Sequence, residues 1–118
     1  MKRFLKGFYF AFNGIKYSFK TQLNFRVHAF LGALALIISY ILQIAICEWI
    51  WIIAAISLVL IVELINTAIE TLVDLVSPEF NPKAGLIKDI SAAAVLISAI
   101  FAFLVGCFIF LPKLFHAL

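Results

Sequence analysis

Charge is what this sequence has least of: 13% of its 118 residues are charged and 66% are hydrophobic, whereas soluble domains average about a quarter charged. That shortage excludes a water-soluble globular fold, which could not hide so much apolar surface. No run alternates polar and apolar residues at strand period, and the apolar stretches outlast a strand. The fold class is therefore all-α, with lipid as solvent. The only cysteines, Cys47 and Cys107, lie far apart with no His or Cys at ligand spacing. This argues against a zinc site and reads both as small buried hydrophobes. No Walker, Rossmann or protein-kinase glycine loop occurs, so any nucleotide must be held another way.

The few charges are unevenly distributed. On a wheel of about 100° per residue, Lys2, Lys6, Asn13, Lys16 and Lys20 share one side of residues 2–20, with Arg3 at its margin. Phe4, Phe8, Phe12, Ile15 and Phe19 share the other, as in an amphipathic helix lying in the membrane interface. Its apolar part is too short and interrupted for a signal peptide. Three spans are expected next, over residues 25–46, 49–76 and 88–111, in one domain covering 1–118. Trp49 and Trp51 suit the aromatic belt of a membrane surface. Ser77 and Pro78 stop the second span, the polar stretch 77–87 forms a loop, Asp89 is placed to cap the third helix, and Pro112 ends it.

The second span should extend about 42 Å, more than the roughly 30 Å hydrocarbon core, so it must tilt or protrude. Lys2, Arg3, Lys6, Lys16, Lys20, Arg26, Lys83 and Lys88 fall on one side of this topology and Lys113 on the other. The positive-inside rule makes the N-terminus and the 77–87 loop cytoplasmic and the C-terminus external. The net charge of +3 therefore points to anionic lipid as electrostatic partner, not nucleic acid. Ala94, Ser98, Ala102 and Gly106 form a small-residue stripe on the third span. Because three helices are too few to enclose a polar site, oligomerisation is expected.

The chemistry concentrates in the run ELINTAIETLVD, from Glu63 to Asp74. Glu63, Asn66, Thr67, Glu70 and Asp74 are spaced i, i+3, i+4, i+7 and i+11, and so share one helix face. A charge at mid-membrane costs about 2.5 to 3.5 kcal/mol on insertion scales, so the stripe needs partners, water or a cation. Bonding to neighbouring helices would explain Asp74 but not the whole stripe. Glu63 lies about 10 Å deeper than Glu70. The shallower acid suits a hard cation such as Mg²⁺, and the deeper one a proton taken from an alcohol. Lys88 and Asp89 sit on the same side, where a lysine could meet phosphate or merely snorkel.

At these residues the sequence resembles the small prokaryotic diacylglycerol kinase and undecaprenol kinase family of integral membrane lipid kinases. The match carries on past a polar loop to Lys88, Asp89 and an alanine-rich span, and covers nearly the whole chain. The resemblance implies a homotrimer of the bacterial inner membrane in which MgATP phosphorylates the hydroxyl of a lipid arriving from the bilayer. It implies Glu63 as general base, Asn66 as organiser, Glu70 as metal ligand, and Lys88 and Asp89 in the nucleotide site, with Glu79, Arg3 and Lys6 as further nucleotide contacts. Gln22 stands where the family usually has a metal-sharing glutamate. Asn24, Phe25, His28, the Asn66–Thr67 pair and the ending from Phe110 to Leu114 favour undecaprenol slightly over diacylglycerol. Two other functions fit parts of the pattern. A small oligomeric transporter would use Glu63 for a proton or cation but leaves Glu70, Asp74 and Lys88 unexplained; an assembly subunit would explain only the small residues.

Overall fold

The computed structural model describes residues 1–118 as four helices: α1 Lys2–Thr21, α2 Leu23–Ile41, α3 Ile46–Val76 and α4 Pro82–Ala117. The last three are long and apolar enough to cross a membrane. Only 17 residues are buried, so lipid or further chains must cover most of the apolar side chains. The interior is more polar than the exterior: Ser18, Ser39, Glu63, Asn66, Thr67, Ser91 and Ser98 are all buried. Ser39, Thr67 and Ser98 donate to carbonyls of their own helices and Ser91 donates to Asn66, which is how such groups are satisfied away from water.

A single extended residue, Gln22, separates α1 from α2. The guanidinium of Arg26, one turn into α2, donates Nη1 to the carbonyls of Phe19 and Lys20, each at 2.9 Å. Those carbonyls have no partner within their own helix, and a cation there also meets the negative end of the α1 dipole. The corner between α1 and α2 is thereby pinned. In α1 only Ser18 is buried, against α3.

At the opposite end α2 stops at Ile41, earlier than the residue 46 expected from the apolar run. Ile44 N–H reaches Ser39 O and Gln43 N–H reaches Tyr40 O. This paired closure puts Gln43 at φ 50°, the left-handed position that usually belongs to glycine. The chain then re-enters helix at Ile46, with the Ala45 N–H held by the Glu48 carboxylate at 2.9 Å. Lys113, near the end of α4, also reaches Glu48 at 3.2 Å. A cluster of Ile44, Ile52, Ala55, Val105 and Ile109 packs this far end.

Two further boundaries differ from expectation. Helix α4 begins at Pro82, not Lys88, because Asn81 rather than Asp89 is the cap: its Oδ1 accepts the Lys83 N–H at 2.9 Å, and Pro82 occupies the first turn, where its missing N–H is harmless. The helix also runs through Pro112 to Ala117, a kind of interruption that membrane helices tolerate. At 31 and 36 residues, α3 and α4 extend about 46 and 54 Å and must tilt or emerge from a roughly 30 Å core. Cys47 is exposed and Cys107 half-buried, so neither is the buried hydrophobe expected.

Helix α2 meets α3 tightly at Gly32. A Cβ there would lie 2.9 Å from Ile56 Cγ2 on α3, and a β-branched side chain has few rotamers with which to retreat. In the small-residue stripe of α4, only Ser98 is buried; Ala94 is exposed, and Ala102 and Gly106 are half-buried. Gly32→Ala should destabilise the bundle by about 1 to 3 kcal/mol, read as a lower thermal midpoint in mild detergent. An unchanged midpoint would mean that α2 and α3 do not need this separation.

Candidate functional site

The close contact at Gly32 sets the register of α2 on α3. One turn earlier on α2, it brings His28 against Glu63. The Glu63 side chain is 2% exposed, and its Oε1 lies 3.3 Å from His28 Nε2. Distance alone makes this a pair, because Oε1 accepts no hydrogen bond. One buried carboxylate oxygen is thus left open beside an imidazole.

One turn along α3 a second group forms. Ser91 Oγ of α4 donates to Asn66 Oδ1 at 2.6 Å, and Asn66 Nδ2 donates to Glu70 Oε1 at 3.3 Å. Because the serine hydroxyl donates to the amide oxygen, the amide nitrogen is turned toward Glu70. Asn66 is therefore oriented by a neighbouring helix. Thr67 and Thr71 spend their hydroxyls on the carbonyls of Glu63 and Thr67, at 3.0 and 2.7 Å. Their role is local to α3.

At the end of α3, Asp74 pairs with Lys88 across the α3–α4 connection. These two residues line a 210 Å³ cavity with Ser77, Glu79 and Asn81. Three of the expected polar positions, Lys88, Glu79 and the end of the acidic stripe, therefore converge. Asp89 is exposed and has no hydrogen bond or ion pair. Arg3 and Lys6 lie exposed on α1, and no bond joins them to α3. Gln22 is half-buried at the α1–α2 corner, without a bond to Glu70.

No three His, Cys, Asp or Glu side chains converge closely enough to hold a metal by themselves. Glu70 offers a carboxylate with one oxygen engaged by Asn66. Such a donor set fits a cation of the Mg²⁺ kind, which is commonly held by one or two carboxylates with water and substrate phosphate. It does not fit a closed protein cage.

Two partners were not legible from the acidic motif. His28 stands in the first turns of an apolar helix, where packing explains it equally well. Ser91 is one polar residue at the head of an alanine-rich run; its spacing of seven from Ser98, also buried, is the one clue to an inward face.

Comparison with known proteins identifies the family of the chain. A family described as "Prokaryotic diacylglycerol kinase" matches residues 9–110. The chain is 39% identical over 114 residues to a protein named undecaprenol kinase from Bacillus subtilis (strain 168), covering 97% of this chain and 93% of that protein. It is 39% identical over 111 residues to a diacylglycerol kinase from Synechocystis sp., covering 93% of this chain and 63% of that protein. A diacylglycerol kinase from Escherichia coli (strain K12) is 31% identical over 105 residues, 89% of this chain and 86% of that protein. These matches are all kinases and give a transporter no support. The chain belongs to the prokaryotic diacylglycerol kinase family, and by that membership it is a membrane-embedded lipid kinase.

Proposed function

We propose that the protein transfers the γ-phosphoryl group of ATP to the hydroxyl of a membrane lipid at the cytoplasmic face, with undecaprenol the first acceptor to test and diacylglycerol the second. The observation that carries this reading is Glu63 Oε1, sealed from solvent and without a hydrogen bond. It can accept a hydrogen bond from a lipid alcohol that enters from the bilayer. An apolar groove of 660 Å³ between α1 and α3, lined in part by Gly14, Ser18, Leu64 and Thr67, gives a hydrocarbon chain a place beside that stripe.

In the reaction, Glu63 takes the hydroxyl proton as the alcohol oxygen bonds to the γ-phosphorus and the bond from phosphorus to the ADP oxygen breaks. Asn66 holds Glu70 in place. Glu70, with the Gln22 carbonyl as a neutral second donor, would hold Mg²⁺, which neutralises phosphate charge. Lys88 and Asp89, with Glu79, Arg3 and Lys6, form the nucleotide side; the ion pair with Asp74 keeps Lys88 at that end until a phosphate competes for it. Most of the catalysis is positioning and charge neutralisation.

A homotrimer with α1 in the cytoplasmic interface of the inner membrane fits the exposed phenylalanines of α1 and the largely uncovered surfaces of α3 and α4. It places the C-terminus outside, in accord with the bias of basic residues.

Purified protein incubated with labelled ATP, Mg²⁺ and each lipid alcohol should yield labelled lipid. The reading fails if no acceptor is labelled. Glu63→Gln should lower kcat by about 100- to 10,000-fold, with assembly retained on size-exclusion chromatography. Gln22→Glu should lower the Mg²⁺ concentration giving half-maximal activity, and an unchanged magnesium titration would remove Gln22 from the metal site. Ser91→Ala should leave the Asn66 carbonyl unpaired and lower stability by about 0.5 to 2 kcal/mol. A denaturation midpoint equal to the parent protein would show the bond to be dispensable.

A further inference from the structure

A base sealed in a membrane helix faces a difficulty that an exposed base does not. It must discharge the proton it has taken before the next substrate arrives, and water cannot reach it directly. Around Glu63 there is one route. His28 Nε2 is 3.3 Å from Oε1, and the His28 side chain is 22% exposed where that of Glu63 is 2%. The imidazole therefore touches the sealed carboxyl on one side and, on the other, a surface that the single chain leaves uncovered, five residues from the start of α2 at Leu23, about 8 Å by helical rise and towards the α1–α2 corner.

The other ionisable groups nearby do not offer this route. Glu70, two turns along α3, has an oxygen engaged by Asn66. Arg26, two residues before His28 on α2, is committed to the carbonyls of Phe19 and Lys20. Helix α4 presents Ala99, Ala102 and Phe103, none of them titratable, to the 320 Å³ cavity that His28 and Gly32 line. His28 is thus the one titratable side chain in contact with Glu63.

We propose that His28 is the proton outlet of the site. Glu63 removes the proton of the lipid hydroxyl during transfer. The resulting Glu63 carboxylic acid gives that proton to the neutral His28 Nε2, and the imidazolium releases it to water. Each turnover thus moves one proton from the alcohol to solvent and returns both side chains to their starting states, with no further reactant. A neutral imidazole is the side chain best suited to accept and release a proton near neutral pH. His28 acts through Glu63 and touches no reacting atom, so it is a relay and positioning residue. The inference rests on Glu63 being the base of the proposed kinase reaction.

The test uses the full chain in lipid vesicles with ATP, Mg²⁺ and whichever of undecaprenol or diacylglycerol the wild type phosphorylates. His28→Gln keeps a polar group of similar reach but cannot carry the proton. It should lower kcat by about 10- to 100-fold with KM for ATP unchanged and a normal thermal midpoint. In His28→Ala the vacated space adjoins the cavity, and added imidazole should restore part of the lost rate; a residue that only packs would not be rescued in this way. Wild-type kcat in His28→Gln overturns the relay, as does a rate in His28→Ala that imidazole leaves unrestored. If the wild type labels no lipid at all, the kinase reading falls and the relay with it. If the wild type is active and His28→Gln equals it, the relay alone is lost.

Discussion

A carboxyl group buried in a helix that crosses hydrocarbon is the constraint around which the rest of this structure is arranged. Glu63 has a 2% exposed side chain, and neither leaving it unpaired nor exposing it to lipid is cheap. Its environment answers that in layers. Thr67 sits on the Glu63 carbonyl, His28 faces the carboxylate, and Gly32 lets α2 come close enough for His28 to do so. Remove the close approach and the imidazole retreats. On the proposed reading, a glycine that touches no polar group is thereby tied to the chemistry.

The same constraint divides α3 along its length. From Ile46 to about Val62 it is an apolar rod whose buried residues, Ile52, Ala55 and Val59, meet hydrophobic neighbours. From Glu63 onward three polar residues of α3 are met from other helices: Glu63 by His28 of α2, Asn66 by Ser91 and Asp74 by Lys88 of α4. Packing at one end fixes the helices so that polar groups at the other can meet at defined distances. The Glu48–Lys113 pair closes the apolar end in the way that Asp74–Lys88 closes the polar one.

How much of this the sequence discloses depends on whether a feature lies within one helix or between two. The spans and the acidic face are legible because apolar length and 3.6-residue spacing are properties of a single helix. The ends were harder. Asn81-Pro82 looks like loop until Asn81 is seen to hold the Lys83 N–H, which extends α4 back past Lys88. Gln43 takes a left-handed conformation without being glycine, so nothing in the composition marks where α2 stops. The partners of Glu63 and Asn66, His28 and Ser91, were the least legible. Their pairing requires the register between helices, and that is set by a contact such as Gly32 against Ile56, which no periodicity within α2 or α3 encodes.

The distribution of charge along the stripe also bears on why such a site would act only when loaded. No three acidic or imidazole side chains converge, Glu70 is partly occupied by Asn66, and Lys88 is held by Asp74. Glu63 Oε1 is the one buried side-chain polar atom without a hydrogen bond. On the proposed reading, nucleotide phosphates bring the oxygens that complete the cation shell and compete with Asp74 for Lys88, while the lipid hydroxyl supplies the hydrogen bond that Oε1 lacks. Each substrate fills a different deficit, one at the membrane surface and one deeper in the bundle. The separation of about 10 Å between Glu63 and Glu70 then keeps proton removal and phosphate binding on different turns of the same helix.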